Sequence, residues 1–337
     1  MTKTRFITTA LLALAATVSA ECGSGTPDAM VDGSEGAYTA TVGGSGQRLT
    51  ILASGPIGTN VVSIPSGRTF EGCGTIDVQA NSGRGNIRSL NTEHGVRTLG
   101  CTFTVIRSFL GQITMNLGGG LGIRFERDEA ASSDVSMDVI KITGAGSHAV
   151  ETWNIDGLTI NQVIAGDVEE CELLLQTTTN ARIGTVDGDN VATGTGYATF
   201  RMANANGRLS DGSYDTNVYV ENVVARGGGR GVFCVSESGG MEIGNVDISD
   251  TENNAILIEN CYGVSILGGT VDGGGDVRIS ARDEFPNTRD VRISLEVNGA
   301  NAVENPCGEN ITWDITGDAT LDVCWVYADT KMVSPDD

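Results

Sequence analysis

Basic residues, aromatics, prolines, histidines and long apolar runs are all scarce in this 337-residue chain. Lys and Arg total 21 against 43 Asp and Glu, a formal net charge of −22. So acidic a chain has no broad positive field to neutralise phosphates, which argues against nucleic acid and anionic membrane surfaces as partners. Only 2 His are present, and no Cys or His spacing marks a zinc site. Beyond the N-terminus, no stretch approaches the roughly 20 apolar residues of a membrane helix. Aromatics make up 5% and Pro numbers 6. The hydrophobic fraction of 39% is nonetheless too high for a disordered chain and suffices for a sizeable core. The 47 Gly follow no collagen period.

Residues 1–20 read as a secretory signal. Lys3 and Arg5 form a basic start, residues 7–18 an apolar run, and Val18-Ser19-Ala20 a small-residue cleavage site. The mature chain would begin near Glu21 with 19 basic against 43 acidic residues, a charge of −24. All eight cysteines follow the signal: Cys22, Cys73, Cys101, Cys171, Cys234, Cys261, Cys307 and Cys324. An even count behind a signal predicts a secreted, extracellular protein with up to four disulfides. Cys307 with Cys324 is a candidate staple of the C-terminal end. Asn310-Ile311-Thr312 is an acceptor sequon for N-glycosylation.

The middle of the chain repeats itself. An apolar-x-x-Val phrase occurs at Ile160/Val163, Ile183/Val186, Val220/Val223 and Ile243/Val246, and related anchors continue at Ile266, Ile293 and Ile315. The steps from Ile160 onward are 23, 37, 23, 23, 27 and 22 residues. The 37 is one turn plus a 14-residue insertion, which fits the polar, Gly-rich residues 204–216. A second ladder reads Leu173 and Leu175, Phe200, Phe233 and Val235, Ile256 and Ile258, and Val277 and Ile279. Turn residues separate the ladders at Thr179-Asn180, Gly239-Gly240, Tyr262-Gly263 and Thr288-Arg289-Asp290; Gly and Asn supply the positive-φ corners.

Past the signal, no segment sustains a 3.6-residue period. Short strands in register at about 23 residues predict an all-β chain, a single-stranded parallel β-helix whose coils bury a shared core. A β-sandwich would instead show hairpin turns and no recurring phrase. The predicted organisation is a signal at 1–20, an N-terminal extension or cap at 21–48, the β-helix at 49–327 and a tail at 328–337. Residues 319–327, with Cys324 and Trp325, are the expected C-terminal cover against edge pairing.

Several segments carry a resemblance: His148-Ala149-Val150-Glu151-Thr152 with Asp156-Gly157-Leu158-Thr159-Ile160; Gly196-Tyr197-Ala198-Thr199-Phe200-Arg201-Met202-Ala203-Asn204; Arg226-Gly227-Gly228-Gly229-Arg230-Gly231 running into Ser236-Glu237-Ser238-Gly239-Gly240; and Asn253-Asn254-Ala255-Ile256-Leu257-Ile258-Glu259-Asn260. Over roughly residues 50–325 the chain resembles the pectate-lyase-like superfamily and a poorly characterised group of secreted microbial β-helix proteins. The resemblance implies a right-handed parallel β-helix. That superfamily holds lyases, hydrolases, esterases and adhesins, so the fold does not give the reaction. The polygalacturonase pattern is poorly matched: Asn91-Thr92-Glu93 and the residues around His148 depart from it, and no Asp-Asp pair exists. No local lyase motif is present either.

The coil register supplies its own candidates. Trp153, Gln176, Arg201, Ser236, Glu259 and Ser280 fall in one outward row. Coils about 4.8 Å apart would make that row a surface stripe. An aromatic, an amide, a cation and an acid suit a sugar chain. The expected function is therefore a secreted polysaccharide lyase acting by β-elimination on a uronate-containing glycan. Arg201 would clamp the carboxylate, since a guanidinium is a poor base. His148, with Glu151 nearby, or Lys141 would be the base. Glu237 and Glu259 would be polar or metal-bridging partners and Trp153 a sugar platform, with Gln176, Arg226, Arg230 and Arg282 binding substrate. The oxygens of Asp187-Gly188-Asp189-Asn190 are a candidate Ca²⁺ turn beside the plainer Asx-turn reading. One alternative is a glycoside hydrolase using Glu151, Glu237 or Glu259, whose stacked positions suit either carboxylate spacing. Another is a non-catalytic surface or adhesion β-helix. A monomer is expected.

Overall fold

In the computed structural model the recurring apolar-x-x-Val phrase is a corner inside a strand. Along Ile155–Val168, Leu158, Ile160, Val163 and Ala165 are buried, whereas Asn161 and Gln162 are both at least partly exposed. Two successive outward residues break the period of two, so the strand turns onto a new face and inward alternation resumes. Side chains are described for residues 122–125, 127–128, 131–194 and 196–324. Elsewhere only strand backbone is described, at Ala29–Val31, Arg48–Ile51, Gly55–Pro56, Val61–Ile64, Thr69–Gly72, Ile76–Val78, Gly95–Thr98, Thr102–Arg107, Ile113–Met115, Val326–Ala328 and Lys331–Val333. The signal, Cys22, Cys73, Cys101, Asn91-Thr92-Glu93 and Trp325 lie outside the described residues.

The strands stack as about nine parallel coils of about 23 residues. A 16-stranded sheet carries the long, cornered strands and an 11-stranded sheet carries the short ones. Register follows the repeat: Met137, Ile160, Ile183, Val220, Ile243, Ile266 and Ile293 lie beside one another on successive coils. Val163, Val186, Val223 and Val246 form the parallel column past the corner. With the inward residues of the short strands they line one continuous lumen. Among the described residues there is no helix, and so none that is long and apolar enough to cross a membrane.

Left-handed corner residues separate the faces. Asn180, Gly240, Gly263 and Asp290, where turns are expected, all have positive φ. So do Asp167, Asn190, Gly227, Asp250 and Gly273 at the next corner, and Asn154, Thr177, Asn204, Ser236 and Asn260 at the third. Asn and Asp tolerate this conformation and also link coils: Asn190 Nδ2 donates to Asp167 Oδ1 at 2.7 Å and Asn310 Nδ2 to Asp290 Oδ1 at 2.7 Å. At Gly228 the requirement is also steric, since a Cβ there would lie 1.8 Å from the Val191 carbonyl oxygen. The 14-residue insertion is accommodated between coils, because Val220 still pairs with Ile183. Within it Asn206 is fully buried and its Oδ1 accepts from the Thr178 N–H at 2.8 Å.

Two expected anchors are corrected. Ile293 pairs with Trp313 and not with Ile315, which lies opposite Leu295, so the last step is 20 residues. The short strand Val232–Cys234 points Val232 and Cys234 inward beside Phe200 and Met202, so Phe233 and Val235 face outward. Val232-Phe233-Cys234-Val235 is continuously apolar, and such a run carries no phase.

Among the described residues two disulfides join the coils. Cys234–Cys261 lies in the lumen, and Cys307–Cys324 closes the C-terminal end as expected. They are compatible with an extracellular protein. Cys171 is free and buried. Glu304 plugs the last coils: its carboxylate accepts from Gly308 N–H at 2.8 Å, Trp313 Nε1 at 2.9 Å and Cys324 N–H at 3.3 Å.

Candidate functional site

The outward surface of the short-strand sheet holds most of the candidate residues, in two columns rather than one row. Arg124, Glu151, Leu174, Arg201, Phe233, Leu257 and Arg278 stand side by side on successive coils. Two residues further along each strand, Trp153 and Gln176 are neighbours, followed by Ala203. Glu259 neighbours Ser280. Arg201 therefore lies a column away from Trp153 and Gln176. Ser236 and Glu237 stand at the corner, both with positive φ.

This outward surface has an apolar floor. Cys171, Leu174, Ala198, Ala203, Phe233, Val235 and Leu257 form a second cluster, separate from the lumen, with Tyr197 packed against it. Arg201 and Arg230 lie on that floor. Each guanidinium carbon is 4.9 Å from the centroid of the same Phe233 ring, and Arg201 is also 5.2 Å from that of Tyr197. Such stacking contributes about 0.5–2 kcal/mol per pair. The Nε of each arginine is buried and without a hydrogen-bond partner. Among the described residues neither forms an ion pair with a carboxylate. Burial, and then the charge of Arg201, lower the pKa of Arg230.

The carboxylates of Glu151, Glu170 and Glu259 are already engaged. Glu151 is 6% exposed; its Oε1 accepts from Trp153 Nε1 and from Gln176 Nε2, both at 2.7 Å, and its Oε2 is 3.2 Å from Arg124 Nε. Glu170 accepts from the Ser147 hydroxyl, lies 3.3 Å from His148 Nε2 and is hydrogen-bonded by Tyr197. His148 Nδ1 accepts from the Cys171 N–H at 3.0 Å. Burial, with the charges of Arg201 and Arg124, lowers the imidazole pKa to about 3. It is therefore neutral, with Nδ1 occupied and the Nε2 proton directed at Glu170. Glu259 pairs with Arg282 Nε at 2.8 Å, and Arg282 Nη1 also reaches Glu284 at 2.5 Å. Glu237 lends its backbone carbonyl to the Tyr214 hydroxyl.

Other expected residues lie elsewhere. Lys141 is on the cornered sheet, beside Ile164 and in the same column as Asp187. Arg226 is on that sheet too, where its guanidinium holds the Asp247 side chain and backbone oxygen, so it does not act with Arg230. The Asp187-Gly188-Asp189 segment is extended strand within Thr179–Val191 and not a tight turn. Asp187 and Asp189 are separated by a buried Gly188, and among the described residues no group of three His, Cys, Asp or Glu converges. These residues do not fit a calcium cage. Tyr197, Phe233 and Glu170, which complete the arginine cluster, escape a sequence reading. The sole signal for Phe233 was its apolarity, which matched the lumen equally well.

Fold and site define a parallel β-solenoid with a paired-arginine surface on its short-strand sheet. No protein-family model matches the chain, and neither a curated protein nor a solved structure matches it.

Proposed function

We propose that the protein is a secreted β-helix that recognises an acidic, carboxylate-bearing glycan through Arg201 and Arg230. The observation that carries this reading is the pair itself: two guanidiniums stacked on one ring, each with an unsatisfied Nε and no carboxylate partner among the described residues. Two like charges held together on an apolar floor are relieved by an anion, and a planar guanidinium matches a carboxylate bidentately. The net charge of −22 repels a polyuronate at long range, but that field is screened within about 8–10 Å at physiological salt. The local sign at the arginines then decides.

Recognition is better supported than β-elimination. A lyase needs a base at the carbon beside the carboxylate. His148 has both ring nitrogens engaged, and Lys141 is on the other sheet. A hydrolase needs two available carboxyls, whereas Glu151 is buried in a hydrogen-bonded set and Glu259 is ion-paired. The test is titration with polygalacturonate, alginate and hyaluronan, with reducing ends and ultraviolet absorbance followed in the same samples. Binding that is lost in Arg201→Ala and in Arg230→Ala, without new absorbance or reducing ends, is the expected result. Unsaturated product would make the protein a lyase; equal binding by the native and variant proteins would remove the arginines from the site.

A further inference from the structure

The cornered sheet carries a second, chemically different opening. At the strand corner the residues on successive coils are Asn161, Gly184, Glu221 and Gly244. Long and absent side chains alternate, so Glu221 stands between two notches each one coil wide. The glycines are held there by close packing: a Cβ on Gly184 would lie 2.2 Å from the Asn161 carbonyl oxygen, and one on Gly244 would lie 2.9 Å from that of Glu221. The result is a groove of about 350 Å³, lined by Thr159, Asn161, Arg182, Tyr219, Glu221 and Glu242. That volume is at the lower end of small-ligand sites, which span roughly 300–1,000 Å³.

Part of the lining is held before any ligand arrives. Arg182, Tyr219 and Glu242 are direct neighbours on three coils. The Arg182 guanidinium lies 4.2 Å from the Tyr219 ring centroid, and the Tyr219 hydroxyl donates to the Thr216 carbonyl at 3.3 Å. Asn161 Nδ2 is held by Asp138 Oδ1 at 2.7 Å. The groove therefore offers two carboxylates as acceptors, a guanidinium, an amide and a hydroxyl, and an aromatic ring. An anion would meet Glu221 and Glu242. A bare metal ion would find two acids and, among the described residues, no third. A ligand whose groups both donate and accept, and which has a C–H face, satisfies the whole set.

We propose that this groove binds an uncharged saccharide, with Glu221 and Glu242 accepting from its hydroxyls, Arg182 donating to its oxygens, and the Tyr219 ring, one face of which carries Arg182, lining the wall against its C–H surface. The site is independent of the arginine pair on the short-strand sheet and goes beyond acidic-glycan recognition. It is tested by titrating the full chain, by calorimetry or NMR, with cellohexaose, xylohexaose, mannohexaose, laminarihexaose and maltohexaose. Tyr219→Ala, Glu242→Gln and the double variant Arg201→Ala/Arg230→Ala are compared, each checked for native melting. The expected result is binding of at least one neutral oligomer, weakened about tenfold or more by Tyr219→Ala and by Glu242→Gln and unchanged in the double arginine variant. No binding of any of the five, binding indifferent to Tyr219 and Glu242, or binding abolished by the arginine changes would each overturn it. Absence of polyuronate binding by the native chain, with neutral-oligomer binding intact, would strike the acidic-glycan reading and leave this one standing.

Discussion

Arg201 and Arg230 share one aromatic ring: their guanidinium carbons are each 4.9 Å from the centroid of Phe233. Two cations are thereby placed on a common floor with planar, directional hydrogen-bond donors. Arg201→Lys tests whether charge or geometry matters. The ammonium keeps the charge but loses the flat stacking and the fork. Polyuronate affinity is expected to fall about tenfold or more, with the remainder more sensitive to salt, when titrated at low and physiological ionic strength.

Glu172 gives a stability prediction. It is fully buried; its Oε1 accepts from the Asp187 N–H at 3.1 Å and its Oε2 has no partner. Burial raises its pKa well above the ordinary value of 4.5. The native state thus keeps a proton that the unfolded chain gives up. Stability is full below the unfolded value and is lost as pH rises from there toward the folded value. Glu172→Gln should melt higher than the native chain at pH 7 and no higher at pH 4, a difference that thermal unfolding at the two pH values will show.

His148 tilts the pH profile the other way. Its pKa falls from 6.5 to about 3 on folding, through burial and then the charges of Arg201 and Arg124. Stability from this group is full above the unfolded value and is lost as pH drops through the window between the two. His148→Gln, which can still accept from the Cys171 N–H, should flatten the acid limb of denaturant midpoints measured from pH 7 to pH 4. An acid limb unchanged by the substitution would exclude His148 as its source.

The C-terminal closure rests on Glu304 and on Cys307–Cys324. Glu304→Ala strands three donors and should cost about 2–5 kcal/mol. Opening the 17-residue disulfide span with paired Ser substitutions should cost about 3 kcal/mol. Hydrogen exchange will locate the loss: faster exchange in Asn301–Glu304 and Glu309–Gly317, with the strands around Ile160 and Ile183 unaffected.

The solenoid was legible because its repeat is periodic in sequence. Ile160, Ile183, Val220, Ile243, Ile266 and Ile293 stand in register as their spacing required, and Asn180, Gly240, Gly263 and Asp290 turn where the composition demanded positive φ. Phase was lost where polarity stopped alternating, at Val232-Phe233-Cys234-Val235, which brought Ser236 into the outward row; Arg201 entered it because Phe200 neighbours Leu173 and not Leu175. The last step failed because Trp313 replaces the aliphatic anchor. The candidate site was less legible still. Spacing puts Arg201 on a surface, but nothing in it reveals that Glu151, Glu259 and His148 are already bonded to neighbours, or that Phe233 gathers two arginines.

The 14 additional residues between Ile183 and Val220 have a consequence for diversification. They leave at a corner beside the short-strand sheet and return in phase, so the lumen is indifferent to how many there are. Loop length and composition beyond Gly207 can drift, or be grafted, as long as the buried Asn206 and its bond to the Thr178 N–H are kept. The scaffold thus separates heredity of the fold from novelty at its surface: specificity can change at one address while every coil on either side keeps its partners.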